Sequence, residues 1–197
     1  MVMIMGLGKQ AKILSKEQQK TVLMYLGTTR YSLRNKVIFL LSVKSGLRAK
    51  EIAGLEWSMI TDAEGNIGDT ISLQNKASKG KSGRTIYLNG ELKAALEALK
   101  NDTKDMSGNV VRTARSKSTS PQVIVNTMRD WYMKLGFEGC SSHSGRRSFI
   151  TSAAKKISQV GGSLRDVQAL AGHSSLNMTQ RYIESDEAAK RKVVELI

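Results

Sequence analysis

The chain has 197 residues, with 40% hydrophobic and 24% charged side chains, which suits one compact domain able to bury a proper core. Its 31 Lys+Arg against 17 Asp+Glu leave a net charge of +14. That excess points to a polyanion such as nucleic acid rather than to a membrane surface, because no long basic amphipathic helix stands out. The single cysteine, Cys140, excludes an intramolecular disulfide, and no stretch reaches the roughly 18 apolar residues of a membrane span.

Taken in chain order, Ser15 with Gln18 makes a capping box, and a helix is predicted from there to about Leu26. A second helix is expected over Leu33–Ser45, with Val37, Ile38, Leu40, Leu41 and Val43 as its apolar face and Gly46 as its stop. A short third helix is expected over Ala49–Leu55, with Arg48 at its entrance. After Trp57 the period changes. Thr70–Leu73 and Arg84–Leu88 alternate polar and apolar around QNKASKGKSG, the pattern of a hairpin with a basic loop. Asn89 caps a helix to about Leu99. Asn101–Ser120 reads as a long basic surface loop. Ser120-Pro121 then restarts a helix running to about Leu135. Further helices are predicted at Gly145–Ser158, Leu164–Ala171, Ser175–Tyr182 and Glu187–Leu196. The fold class is therefore mainly α with a small antiparallel β-sheet (α+β).

Both histidines fall in the last third. His143 opens HSGRRSF, and His173 sits in LAGHSSLNMTQRYI, which Tyr182 closes. Phosphodiester transfer needs a nucleophile, cationic donors for the charge developing on phosphorus, and an acid for the leaving oxygen. A tyrosine hydroxyl, with an ordinary pKa near about 10, needs a basic or cationic neighbourhood to attack at neutral pH. Arginine suits the non-bridging oxygens, since its planar fork donates twice and stays charged. His143 and Arg146 are spaced to share one face of a helix start. Arg48 lies far away in sequence, so the fold must bring it to them. Taken singly each residue has a plainer reading. Tyr182 reads as a half-buried tyrosine, His173 as a cap beside Gly172, and Arg48–Glu51 as a surface ion pair. Trp57 and Trp131 read as core, and Cys140 as a small filler.

The ordered motifs together resemble the catalytic domain of the tyrosine recombinases, the phage-integrase family. SGLRAKEIAGLEW resembles its first arginine box, KGKSGRTIYL its hairpin lysine segment, HSGRRSFIT its His-x-x-Arg box, and LAGHSSLNMTQRY its closing box. The resemblance covers about Leu14 to Ile183. It implies that Tyr182 attacks the scissile phosphate to leave a 3′-phosphotyrosine and a free 5′-hydroxyl. Arg48 and Arg146 would grip the non-bridging oxygens, His143 would assist proton transfer, and His173 would hydrogen-bond the phosphate. Lys79 would protonate the leaving oxygen, with Lys76 and Lys81 as alternatives on the same loop, and Glu51 would orient the site. The resemblance implies no metal and no other cofactor. Lys76, Lys81, Arg84, Arg112, Arg115, Lys117 and Arg147 are candidate DNA contacts. This chain departs from the family at Gly145, where leucine is common, at Arg147 for a frequent histidine, at Tyr87 for proline and at Ser45 for threonine.

The expected organisation is a tail over 1–13, a catalytic domain over 14–185 and a helical tail over 186–197 that can dock in a neighbouring subunit. Most family members carry an N-terminal clamp domain of on the order of 100 residues. It is expected to be missing here, as in a fragment of an integrase or in a short member like the fimbrial phase-switch invertases. The expected function is site-specific recombination on double-stranded DNA, with a homotetramer on DNA and a monomer or weak oligomer when free, no membrane partner, and a bacterial or phage-encoded, cytoplasmic and nucleoid-associated setting. Two alternatives stand beside it: a regulatory DNA-binding module of the same fold, and a type IB topoisomerase-like enzyme.

Overall fold

In the computed structural model, the described residues are 10–74, 83–103, 106–114, 116–183 and 193–195. Eight helices are described: α1 (Lys16–Gly27), α2 (Ser32–Ser45), α3 (Ala49–Ala53), α4 (Gly90–Asp102), α5 (Pro121–Lys134), α6 (Ser144–Lys156), α7 (Leu164–Ala171) and α8 (Leu176–Gln180). Strands β1 (Thr70–Leu73) and β2 (Arg84–Tyr87) form a two-stranded antiparallel sheet, pairing Thr70 with Tyr87 and Leu73 with Arg84. The mainly α reading with one small sheet holds.

Helix α2 is the axis of the fold. Val37–Leu41 and Val43 are all buried, so this helix is apolar nearly all round and must be enclosed. It packs against α1, α4 and α6. Capping follows the sequence: Ser15 and Gln18 form the capping box of α1, Asn89 accepts from the Leu92 amide, and Ser120 accepts from the Val123 amide ahead of Pro121. The main core runs from Leu14 through Trp57 to Trp131 and Tyr132, with Cys140 partly buried against it. A second, smaller cluster gathers Ile150, Val167 and Ala171, with Phe149, Leu164 and Tyr182 packed on it. The candidate site lies at the seam, because α6 contacts α2 on one side and α7 on the other.

Several expectations change. Asn101–Ser120 is more than a surface loop: Val110 and Val111 are buried, and the Val110 amide donates to the Leu55 carbonyl at 2.8 Å. This apolar β-branched pair recruits the segment into the core. α3 stops at Ala53, with Gly54 as its cap, and α6 passes into a 3₁₀ turn over Ile157–Val160. α8 ends at Gln180, so Tyr182 stands just beyond it, its amide donating to the Thr179 carbonyl at 3.0 Å. The predicted helix over Glu187–Leu196 falls outside the described residues apart from 193–195. Residues 10–13 lie against the domain: the Lys12 amide donates to the Gly139 carbonyl, and Arg147 donates to the Ala11 carbonyl, both at 3.0 Å.

The departure at Gly145 has a steric reason. A Cβ built there would lie 2.3 Å from Ser42 Oγ and 2.9 Å from Ser42 Cβ, so α6 crosses α2 through a pair of small residues. Gly145→Ala is expected to destabilise the chain. Overpacking costs about 1–3 kcal/mol, which outweighs the gain of up to about 1 kcal/mol in helix propensity. Chemical denaturation should show the loss, and Gly145→Ala with Ser42→Gly should recover part of it. A more stable single variant would contradict this crossing.

Candidate active site

The site is built around one buried carboxylate. Glu51 is 0% exposed and sits on α3 three residues after Arg48, which caps that helix. Its oxygens accept from the Arg48 amide at 2.8 Å, from Arg48 Nη1 at 2.9 Å and from Arg84 Nη1 at 2.9 Å. Burial pushes this carboxyl up. The Arg84 hydrogen bond and charge and then Arg48 outweigh it, holding the group below its ordinary value and therefore ionised. The plainer single-residue reading of a surface ion pair does not hold: the carboxylate is buried, and removing a partner would leave its charge uncompensated.

Arg146 reaches the same place from α6. It is 3% exposed and donates through Nη1 to the Gly46 carbonyl and through Nη2 to the Ala171 carbonyl at 2.6 Å. Burial, then the charge of Arg48, lowers its pKa to about 10, so it remains a cation at neutral pH. Gly46 ends α2 at φ 64°, a conformation that favours glycine, and a Cβ there would meet the Phe149 ring at 2.5 Å. The fold therefore brings Arg48 and Arg146 together as the sequence required, with 24% of the Arg48 side chain still open to solvent.

His173 follows Gly172, the left-handed cap of α7, and is buried. Its Nδ1 lies 2.9 Å from Thr179 Oγ1, and its ring stacks on Tyr182 with centroids 5.4 Å apart and planes at 24°. Burial first, then the charges of Arg146 and Arg48, lower its pKa from 6.5 to about 4, so the imidazole is neutral at pH 7. On unfolding it takes up a proton at any pH between those values, so its contribution to stability is intact above about 6.5 and is lost as pH falls towards 4. Guanidinium unfolding should show that loss across this window in the wild type, with His173→Gln lacking it. Identical pH profiles would contradict a buried neutral His173.

Tyr182 is half-buried, and its carbonyl accepts from Thr151 Oγ1 at 3.0 Å, which ties the turn after α8 to α6. It lines an open cleft of about 450 Å³ together with His143, Arg146, Arg147, Arg181, Gln10 and Ala11. His143 is exposed at the start of α6. One wall of the cleft is therefore cationic, and one is the candidate nucleophile.

Not every expected residue joins this wall. Lys76, Lys79, Lys81 and Arg115 lie outside the described residues. Lys117 is exposed on the 106–120 segment. Arg112 is turned into its own loop, donating to the Asn109 carbonyl at 3.0 Å and to the Ser107 carbonyl. Arg84 was expected among the DNA contacts, but only 8% of its side chain is exposed and it is bound to Glu51. Strand alternation carried the signal, because Arg84 shares its face with buried Ile86. Thr151 and Thr179 had no sequence signal, since their roles depend on partners 31 and 6 positions away.

One buried carboxylate thus holds Arg48 and Arg84, with Arg146 and His173 beside it and Tyr182 stacked on His173. The chain belongs to the phage integrase family, whose family model matches residues 12–189. It is similar to the tyrosine recombinase XerA of Thermococcus kodakarensis, 28% identical over 194 residues, covering 93% of this chain and 62% of that protein. It is also similar to the tyrosine recombinase XerC of Actinobacillus pleuropneumoniae, 31% identical over 158 residues, covering 78% of this chain and 48% of that protein. The chain thus spans about half to three-fifths of the length of these curated relatives. Among solved structures, a XerA recombinase aligns with TM-score 0.72 at 21% identity, covering 95% of this chain and 65% of that one. The Tn1549 transposon integrase in complex with a circular intermediate DNA aligns with TM-score 0.75 at 17% identity, covering 96% and 67%. These structures share the fold.

No helix among the described residues is long and apolar enough to cross a membrane.

Proposed function

We propose that the chain is the catalytic part of a site-specific recombinase that cleaves and rejoins double-stranded DNA through Tyr182. The observation that carries this reading is the convergence of Arg48, Arg146, His173 and Tyr182, from four separate segments, at one seam beside a basic cleft. In the forward step, Tyr182 Oη forms a bond to phosphorus as the bond to the 5′-oxygen breaks. The tyrosine proton passes to a base, for which His143 is the exposed candidate, and the 5′-oxygen takes a proton from a hairpin lysine, Lys79 in the sequence reading. Arg48 and Arg146 bind the non-bridging oxygens, where positive donors fixed in a partly dry site stabilise developing charge. The 3′-phosphotyrosine conserves the bond energy, so a second 5′-hydroxyl reverses the step. Basic Arg147 and Arg181 at the cleft rim suit the adjoining backbone phosphates. A tetramer on DNA, with the chain's final segment docked in a neighbour, and a setting in the nucleoid-bearing cytoplasm belong to the same proposal.

Plasmid assays separate this from a relaxing enzyme or a silent binding module. The substrate is a supercoiled plasmid carrying two copies of a candidate site taken from the DNA adjoining the gene. Inversion or deletion between the copies is the expected result. Relaxation without exchange would favour the topoisomerase-like reading, and binding with neither product would favour the regulatory module.

A further inference from the structure

Three consecutive carbonyls at the end of α7 each accept from a different arginine. Leu170 accepts from Arg84 Nε at 2.9 Å, Ala171 from Arg146 Nη2 at 2.6 Å, and Gly172 from Arg48 Nη2 at 3.3 Å. The last carbonyls of a helix have no partner within it and carry its negative dipole end, so cations gather there. Two of these arginines are the anion-gripping pair described above. The third is not placed to join them. Both terminal nitrogens of Arg84 are on Glu51, at 2.9 Å and 3.3 Å, and its Nε is on Leu170, so its whole fork is committed inward. Its side chain is 8% exposed against 24% for Arg48, and unlike Arg146, which is as deeply buried but bound to carbonyls, its charge is paired with a carboxylate. The backbone closes over it: a Cβ on Gly172 would stand 2.7 Å from Arg84 Nη1, and Gly172 already adopts φ 60°.

We propose that Arg84 is a positioning residue for strand cleavage. It locks Glu51, and through it Arg48, in register with the end of α7 that delivers His173, and it makes no phosphate contact of its own. This rests on the strand-cleavage reading. It also assigns one consequence to three elements at once: β2, α3 and α7 are joined through a single guanidinium, so the Arg48 fork and the His173 ring keep a fixed relation before DNA arrives. Lysine cannot substitute, because one ammonium cannot bridge a carboxylate and a carbonyl in a flat fork.

The test compares Arg84→Met, which keeps an apolar stem, and Arg84→Lys, which keeps the charge, in the full chain. Binding to a fluorescent nonspecific 20-base-pair duplex, used as probe, is followed across KCl concentrations by anisotropy. Covalent adduct formation is timed on a nicked duplex carrying a candidate site taken from the DNA adjoining the gene. The His173 imidazole is titrated by NMR. The salt slope of binding should be unchanged in Arg84→Met, whereas losing a phosphate contact would flatten it by about one. The adduct rate should fall roughly 100-fold, the scale of a misplaced catalytic group. Arg84→Lys should stay at least about tenfold slow despite its charge, which separates geometry from electrostatics. The His173 titration should move upward in Arg84→Met, since Arg84 adds to burial, Arg146 and Arg48 in holding that ring low, and should stay near wild type in Arg84→Lys. Glu51→Gln with Arg84→Met should be no slower than the slower single variant, because the two act as a unit. A flattened slope, or an Arg84→Met adduct rate within about threefold of wild type, overturns the proposal. If Arg84→Met does not fold, Arg84→Lys decides by its rate, and an adduct rate within about threefold of wild type overturns the proposal. If the wild type itself forms no adduct, the strand-cleavage reading fails, and the salt slope and the His173 titration still judge Arg84.

Discussion

Tyr182→Phe is expected to abolish covalent attachment to DNA while leaving affinity for the duplex within about twofold of wild type. The separation follows from what the side chain does in the fold. Its ring packs on the Ile150–Val167–Ala171 cluster and stacks on His173, and phenylalanine retains both contacts. Its carbonyl, held by Thr151, is unaffected. Stability should therefore change by less than about 1 kcal/mol. Only the hydroxyl is lost, and with it the proposed nucleophile, so cleavage should fall by at least roughly 10⁴-fold. Electrophoretic mobility shift on candidate sites taken from the DNA adjoining the gene checks binding, and a denaturing gel of the same reactions checks attachment. Cleavage at a wild-type rate would move the nucleophile elsewhere.

Glu51→Gln carries the second large effect, chiefly on stability. The carboxylate is fully buried and neutralises Arg48 and Arg84 directly, with Arg146 close by. Glutamine preserves the shape but leaves those cations without their buried counter-ion, a change that costs about 3–5 kcal/mol when one partner of a buried pair is removed. The pH dependence has a definite sign. The folded carboxyl is held below its ordinary 4.5, so its contribution is complete above that value and is lost as pH falls through the folded pKa. The wild type and the Gln variant should therefore differ most near neutrality and converge under acid. Denaturant midpoints measured across pH give the comparison, and a gap that does not change with pH would show that the charge of Glu51 is not what stabilises the fold.

The sequence carried the helices well where periodicity and punctuation agreed. Ser15 with Gln18, Gly46, Asn89, Ser120-Pro121 and the Leu164–Ala171 run all mark local events whose causes lie within one turn of chain. Arg48, His143, Arg146, His173 and Tyr182 were legible because each residue type suits phosphate chemistry and the motifs come in the order of a known family. What stayed hidden was non-local. Val110 and Val111 look like loop residues until Leu55 and Trp57 are alongside. Arg84 sits beside a basic loop, so its charge suggested DNA, while its inward strand face went unweighed. Thr151 and Thr179 gain meaning only from the turn that carries Tyr182. The carbonyl row at Leu170–Gly172 has no side-chain signature at all, since any sequence supplies carbonyls. Gly145 was visible as a departure, but its reason lay across the helix crossing at Ser42.

The central claim is that Tyr182 becomes covalently joined to a DNA 3′-phosphate. The most direct test incubates the chain with nicked duplexes bearing candidate sites taken from the DNA adjoining its gene, then digests the product and maps the modified peptide by mass spectrometry. A nucleotide carried on Tyr182, with the released downstream fragment of the same strand starting at a free 5′-hydroxyl, is the predicted result. An adduct on any other residue, or tight binding with no adduct at all, would contradict it.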